Sequence, residues 1–464
     1  MDTLLSWTPT FDIDGLMIFN YTKFIFHSDI NSTNGVVEDS WSARGVLSLV
    51  LESTSLIQQN WILALISFIC ITCLINCTFF PPNYYQDLSG LGGYTYFNLE
   101  SKDIGLSTKK RLINRFRADS RLAKLPLYPN GWFQLLESAS LGKNKAKYVS
   151  ALGENFAVFR TSTGKVYIVD AYCPHLGANL GIGGMVENDC ITCPFHGWKF
   201  DGRTGKCAAI PYSGCDIPES AKVRVWRSCE VNDSIFVWYH ADGERPSWEP
   251  QPIPAVASGK YWLVGKFNYD ITASIQDMME NSADVQHGDF LHGPFPLVGK
   301  RLDNNWNKIL AFLKASFSVN WAVDSKEPHV AHGRFVLDWK LMRKLSLVQT
   351  EFVIKIVGPG LIEIAQSPGH NVAIQCITPI GPFQQRMSIR MYSRPAMMLP
   401  SRLIFHIMHV NVERDLLIWN YKEINAKQSI VKEDGPIKAF RRWYSQFYSE
   451  NTPRLKFQVD TLSW

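Results

Sequence analysis

The chain sets two short ligand clusters close together: Cys173-Pro174-His175 and, after seventeen intervening residues, Cys193-Pro194-Phe195-His196. Each supplies one thiolate and one imidazole. Two Cys and two His satisfy a Rieske-type [2Fe–2S] cluster, with the thiolates on one iron and the imidazoles on the other. The four groups must converge, so the two segments must fold as loops that share one cofactor. A Cys2His2 zinc site uses the same donors. Zinc spacings, however, pair Cys with Cys and His with His, whereas each cluster here is mixed and presents one ligand to each iron.

The flanks agree. Gly177 follows the first pair and Gly197 the second, and glycine beside a ligand lets backbone N–H groups approach the cluster sulfurs. Cys190 reads as a small core residue beside a strand. Such a cluster moves single electrons, so the chain reads as redox machinery. A membrane-anchored Rieske electron carrier is one possibility. Respiratory carriers hold an additional Cys in each ligand loop; the positions to compare are Ala178 and Phe195, and neither is Cys.

A second pattern follows in Glu280-Asn281-Ser282-Ala283-Asp284-Val285-Gln286-His287-Gly288-Asp289-Phe290-Leu291-His292. Two His five apart, with Asp284 three before the first, suit mononuclear non-haem Fe(II), which takes two His and one carboxylate and keeps other positions open. Five residues are about 140° around an ideal helix, so His292 is expected at a helix end or bend, which Gly288 permits. Asp415, in Glu413-Arg414-Asp415-Leu416, is the candidate third ligand, with Glu413 the rival and a surface ion pair the plainer reading. The pairs His329/His332 and His406/His409 also have ligand-like spacing. Neither has an accompanying carboxylate; the first reads as a loop and strand edge, the second as helix packing near the pocket.

From about Tyr128 to the C-terminus these residues resemble the Rieske non-haem iron oxygenases, specifically the sterol-acting Neverland family of cholesterol 7-desaturases. Tyr128-Pro129-Asn130-Gly131-Trp132-Phe133, both cluster loops, Asn281 to His292, and Asp415 to Lys422 carry the likeness. It implies O2- and NAD(P)H-dependent 7,8-desaturation of cholesterol to 7-dehydrocholesterol in steroid hormone biosynthesis. It implies a [2Fe–2S] cluster on Cys173, His175, Cys193 and His196, and Fe(II) on His287, His292 and Asp415. Asp284 would bridge electron flow between a cluster His of one subunit and an iron His of its neighbour, in a homotrimer; Asn281 is a further candidate catalytic residue. Bacterial ketosteroid hydroxylases share the core, so a steroid or polycyclic hydroxylase is the alternative: both outcomes begin with the same hydrogen abstraction. No Gly-x-Gly-x-x-Gly fingerprint follows a strand, so an external reductase is expected to take electrons from NAD(P)H.

The 464 residues allow two or three domains, and 46% hydrophobic residues support sizeable cores. The net charge of +5 is small, and no basic run with interleaved aromatics points to nucleic acid. Ten cysteines form no regular framework, which predicts a reducing compartment for the catalytic part.

Residues 61–80 carry no charge, and twenty helical residues span about 30 Å, the thickness of a bilayer core. Pro81-Pro82 then stops the helix. A buried core helix is the soluble alternative. Residues 1–60 hold two basic and seven acidic side chains, residues 101–125 eight basic and two acidic. The positive-inside rule then predicts a single-pass protein of the endoplasmic reticulum with a cytosolic catalytic domain. Asn20 and Asn31 head glycosylation triplets in the luminal tail.

The predicted organisation is α+β: a luminal tail at 1–60, a transmembrane helix at 61–80 and a basic linker at 81–127. An all-β Rieske domain at 128–245 and a catalytic domain at 246–464 follow. In the linker, residues 107–125 read as a basic amphipathic helix, either resting on membrane lipid or simply solvated. A strand–turn–strand pattern occupies 157–169, and residues 231–234 precede a strand at 235–239. Further strands are expected at 312–323, 333–341, 349–357, 362–366, 372–378 and 385–392, with a helix from about Arg402 carrying Asp415. An antiparallel sheet wrapped around helices in a helix-grip-like way would hold a flat apolar ligand.

Overall fold

Strand alternation in the middle of the chain feeds two cores at once. In the computed structural model, β1 (Asn83–Asp87) and β2 (Gly131–Glu137) precede a hairpin of β3 (Lys145–Ala151) and β4 (Glu154–Arg160), with β5 (Val166–Asp170) paired on β4. Successive side chains on a strand point to opposite faces. Phe156 and Val158 of β4 therefore enter the main core, while Ala157 and Phe159 enter a smaller core that also contains Cys173 and Cys193. Ile168 and its neighbours Tyr167 and Val169 divide the same way on β5. The structure describes residues 60–72, 75–76, 80–88, 126–214, 216–296, 299–303, 305–367, 370–420, 422 and 428–454.

Three small antiparallel sheets build the region around the Cys/His clusters. β3, β4 and β5 continue into β10 (Val225–Trp226). The short strands β6 (Met185–Glu187), β7 (Cys190–Thr192), β8 (Lys199–Asp201) and β9 (Cys207–Ala209) form the second sheet. β11 (Ser228–Val231) and β12 (Ser234–Tyr239) pair with β2 in the third. The β11–β12 turn sets Asn232 at φ 50° and Asp233 at φ 58°, the left-handed pair whose twist matches a two-residue hairpin.

The second half is one eight-stranded sheet in the order β1-β13-β19-β18-β17-β16-β15-β14. It comprises β13 (Trp262–Thr272), β14 (Leu313–Val323), β15 (Val330–Leu341), β16 (Leu345–Val357), β17 (Leu361–Ser367), β18 (Asn371–Gly381) and β19 (Gln384–Ser393). All neighbours are antiparallel except β1, which joins β13 in parallel. The helical elements that accompany it include α1 (Ile275–Glu280), α2 (Val285–His287), α3 (Met398–Trp419) and α4 (Gly435–Tyr444). α3 lies along β13, with Phe405 5.5 Å from Phe267 ring to ring and the Tyr269 hydroxyl 2.6 Å from His409 Nε2. Gly265 makes this approach possible, since a Cβ there would sit 2.7 Å from the Phe405 ring. Arg441 of α4 clasps Glu280 of α1 through two bonds of 2.5 and 2.8 Å.

The predicted strands between 312 and 392 are present, most of them longer than the sequence pattern shows. The region expected as a linker supplies β1, which had no signal because all five residues are exposed. The chain divides into two units, residues 1–68 and 69–464. In the first, 60–68 are described and helical, with Trp61, Ile62, Leu63, Leu65, Ile66 and Phe68 exposed. Of the remaining positions in the expected 61–80 span, 69–72 and 75–76 are helical, Phe80 sits in a bend, and 73–74 and 77–79 lie outside the described residues. Among the described residues no helix is long and apolar enough to cross a membrane. The acidic tail, its glycosylation triplets and the basic helix at 107–125 also fall outside the described residues.

Candidate iron sites

The two cluster loops are built alike. Cys173 N–H donates to Ala178 O at 2.9 Å and Gly177 N–H returns to Cys173 O at 2.9 Å; Cys193 N–H donates to Trp198 O at 2.8 Å and Gly197 N–H to Cys193 O at 3.1 Å. Gly177 and Gly197 both take φ +74°, which only glycine adopts without strain. The first loop leaves β5 and the second joins β7 to β8. They bring the His175 and His196 rings to 4.8 Å, and Trp198 stacks on His175 at 4.7 Å. Both cysteines are buried, and burial, with the Cys193 thiol alongside, pushes the Cys173 thiol up to about 11. A buried thiol without a nearby cation suits a ligand that ionises on iron. The described cysteines are free thiols, and Cys190 sits half-buried in β7, outside this group.

His287 and His292 meet because the helix changes pitch between them. α2 runs into a π-helical turn, Gly288–His292. In an α-helix residues five apart diverge by about 140°, whereas i→i+5 bonding places them nearly one above the other. Their ring centroids lie 5.1 Å apart. The turn is docked on edge strand β14: Asp289 accepts from Phe317 N–H at 2.5 Å, and Ala315 N–H donates to Gly293 O at 2.8 Å. Gly288 permits that docking, since a Cβ would stand 3.1 Å from the Phe317 ring.

Asp415 reaches the pair from α3, with Oδ1 3.2 Å from His292 Nε2. His287, His292 and Asp415 offer donor atoms that all lie within 4.8 Å of one another, the one such group of three among the described residues. His287 Nδ1, His292 Nδ1 and Asp415 Oδ1 are buried without a hydrogen-bond partner. Two imidazoles and a carboxylate whose donor atoms come this close fit a divalent iron ligand set. Glu413, the rival ligand, instead faces Lys300 at 3.4 Å.

Asp284 caps α2, accepting from Gln286 and His287 N–H groups at 3.0 and 3.3 Å, and its other oxygen stands 3.7 Å from His287 Nδ1. Burial pulls the His287 imidazole down, but Asp284 and Asp415 outweigh it and the net direction is up. Burial likewise opposes ionisation of Asp284, yet His287 and the two amides hold it below the usual carboxylate range. The other histidine pairs are not ligands: His329 stacks on Trp248 at 4.5 Å, His332 faces Asp324 at 3.1 Å, and His409 lies between Tyr84 and Tyr269.

A cavity of about 220 Å³ opens on these ligands, walled by Phe317, Val319, Phe335, Ile354, Ile362 and Ile364 from the sheet. Asn281, Ser282 and Gln375 add polar groups. Sequence reasoning missed Gln375, whose place in an apolar strand was its only signal. A larger cleft of about 350 Å³ lies elsewhere, between β2 and β13, and holds none of the ligands.

Known families match both halves. The Rieske [2Fe-2S] domain matches residues 131–227, and the 3-ketosteroid 9alpha-hydroxylase C-terminal domain matches 237–448. A cholesterol 7-desaturase of Ciona intestinalis is 38% identical, covering 81% of this chain and 80% of its own length. That of Xenopus laevis is 39% identical over 76% and 78%, and that of Caenorhabditis elegans 35% over 85% and 93%. The chain belongs to the cholesterol 7-desaturase, or Neverland, family. It is an oxidoreductase of the Rieske oxygenase class. Dicamba monooxygenase bound to dicamba shares the fold, with a TM-score of 0.51 and 16% identity over 70% of this chain and 98% of that one.

For this family member the glycines of the cluster loops separate two effects. Gly177→Ala meets open space and carries only left-handed strain, about 1–2 kcal/mol. Gly197→Ala adds a Cβ 2.9 Å from the Pro211 ring. The purified Gly197→Ala protein should lose most of its cluster absorbance and the matching iron and sulfide, while Gly177→Ala retains most of both. Equal cluster content in the two would remove the steric reading.

Proposed function

We propose that this chain desaturates cholesterol across C7 and C8, giving 7-dehydrocholesterol, with O2 and NAD(P)H as co-substrates. The balance is cholesterol, O2, NAD(P)H and one proton to 7-dehydrocholesterol, two waters and NAD(P)+. The observation that carries it is the gathering of His287, His292 and Asp415 donor atoms within 4.8 Å of one another beside an apolar cavity, in a chain of the cholesterol 7-desaturase family. Iron held by those residues would supply hydrogen abstraction, and a [2Fe–2S] cluster held by Cys173, His175, Cys193 and His196 would supply single electrons. The protein's part is positional. Phe317, Phe335 and Ile354 exclude water and press a flat ring system toward the ligands, while Asn281, Ser282 and Gln375 offer polar groups to orient it. The cavity is smaller than the roughly 300–1,000 Å³ of most ligand pockets, so the sterol tail extends beyond it.

The second reading, hydroxylation of a polycyclic substrate, is favoured by the match to a 3-ketosteroid 9alpha-hydroxylase C-terminal domain. An electron carrier would have no use for a second iron site. Sterol mass spectrometry of cholesterol-fed cells separates these readings. 7-Dehydrocholesterol should appear with the intact chain and be absent with His287→Ala. A hydroxylated sterol instead would favour the second reading; no sterol product from an iron-loaded, reductase-supplied chain would sink both.

Electrons are proposed to come from a separate reductase and to cross between subunits of a homotrimer through Asp284. Two exposed rims support this. Leu176 and Phe195, 63% and 62% exposed, flank the cluster histidines, while Phe290, 78% exposed, stands beside the iron ligands and near the partly open Asp284. Apolar groups grouped at a functional edge mark contact surfaces. Co-expression tests it: Cys173→Ala and His287→Ala chains, each inactive alone, should together restore desaturation. A mixed preparation that assembles yet stays inactive would show transfer within one chain.

We also propose a single-pass anchor in the endoplasmic reticulum with the catalytic part in the cytosol. Support comes from the uncharged 61–80 segment, the exposed apolar side chains of its described part and the basic excess at 101–125. Protease added to intact microsomes should digest the C-terminal part. A protected C-terminus would reverse the orientation.

A further inference from the structure

Arg414 has no exposed surface, and among the described residues no carboxylate pairs with it. Its guanidinium spends its donors on four backbone carbonyls instead. Nε donates to Gly299 O at 3.0 Å, Nη1 to Leu291 O at 3.1 Å and Pro294 O at 3.0 Å, and Nη2 to Phe295 O at 3.2 Å. Leu291 is the neighbour of His292, and Arg414 is the neighbour of Asp415. One side chain thus fastens the segment after the π turn to the helix that delivers the carboxylate. Glu413 adds a weaker tie through Lys300.

A buried charge without a counter-ion is costly. Burial pulls this guanidinium down to about 10, opposed by Asp415. Four carbonyl oxygens in a fork are a specific compensation, and only a planar, five-donor group can meet them. A fold needing merely to fill this space could use an apolar side chain.

We propose that Arg414 is a positioning residue that sets the spacing between His292 and Asp415, and so the affinity and geometry of the mononuclear metal site. This rests on the reading that His287, His292 and Asp415 hold that metal. Groups that orient ligands from behind typically change metal affinity 10–100-fold when lost. Lysine cannot replace the fork, because its three donors radiate from one point.

The test uses the full chain with its [2Fe–2S] cluster intact and the mononuclear metal removed by mild chelation. Co(II) is titrated into wild type, Arg414→Lys, Arg414→Ala and His292→Ala, with the visible Co(II) bands reporting ligand geometry. Wild type should bind one Co(II) per chain and His292→Ala none. Both Arg414 variants should bind 10–100-fold more weakly with altered bands, while cluster absorbance and cooperative unfolding persist at a lowered unfolding temperature. Millimolar guanidinium should restore Arg414→Ala. Wild-type affinity and bands in the folded Arg414 variants would overturn the proposal. So would loss of the cluster signal and of cooperative unfolding in both, unrescued by guanidinium, which would make Arg414 a residue of the fold. Failure of wild type to bind, or binding by His292→Ala, would sink the iron reading itself.

Discussion

The catalytic half of this structure depends on turning two imidazoles five residues apart toward one point. A regular α-helix cannot do it, since the rings would point about 140° apart. The chain instead widens one turn to i→i+5 pitch between His287 and His292. Such a turn is less favourable than α-helix and persists where its surroundings hold it. Here the surroundings are specific: Asp284 caps its entry, Asp289 and Gly293 tie it to β14, and Arg414 grips its exit. The ligand set is the consequence of that restraint, with Asp415 arriving on a helix already seated along β13.

The electron-transfer half is bound into the same body through β4 and β5. Each contributes alternate side chains to the main core and to the small core beneath the cluster loops. A strand shared in this way cannot shift register without exchanging both faces, so the loops carrying Cys173 and Cys193 are fixed relative to the larger core. The repeated loop geometry, with glycine at φ +74° four residues after each cysteine, shows two separate segments reaching one conformation.

Much of the chemistry was legible in the sequence because it depends on residue type and spacing. The two cluster loops lie side by side, His287, His292 and Asp415 lie together, and Glu413 is turned away to Lys300. Strand positions in the second half followed from alternation. What was not legible depends on partners distant in the chain. β1 is exposed at all five positions, so no pattern marks it, and its pairing with β13 rests on backbone bonds and a Tyr85 hydroxyl donated to Asp270 at 3.1 Å. The five-residue spacing called for a bend, but a π turn needs the edge of β14 to dock against. Nothing in the sequence singles out Arg414. Its burial among backbone carbonyls could not be seen, because carbonyls are present at every residue and leave no sequence trace.

These differences have a common cause with consequences for how the site works. Residue identities choose which metal can bind, but main-chain geometry chooses how well it is held. The three side chains gathered at the site keep polar atoms without hydrogen-bond partners, while the groups behind them are engaged with backbone. His287, His292 and Asp415 each keep a buried polar atom unpaired, whereas Asp284, Asp289 and Arg414 are bonded to backbone. Unpaired buried polar atoms destabilise a fold, so the strain is confined to three side chains and offset immediately behind them. An apolar cavity on the open side completes the arrangement, because in a low dielectric each unmet ligand atom favours a cation more strongly than it would in water.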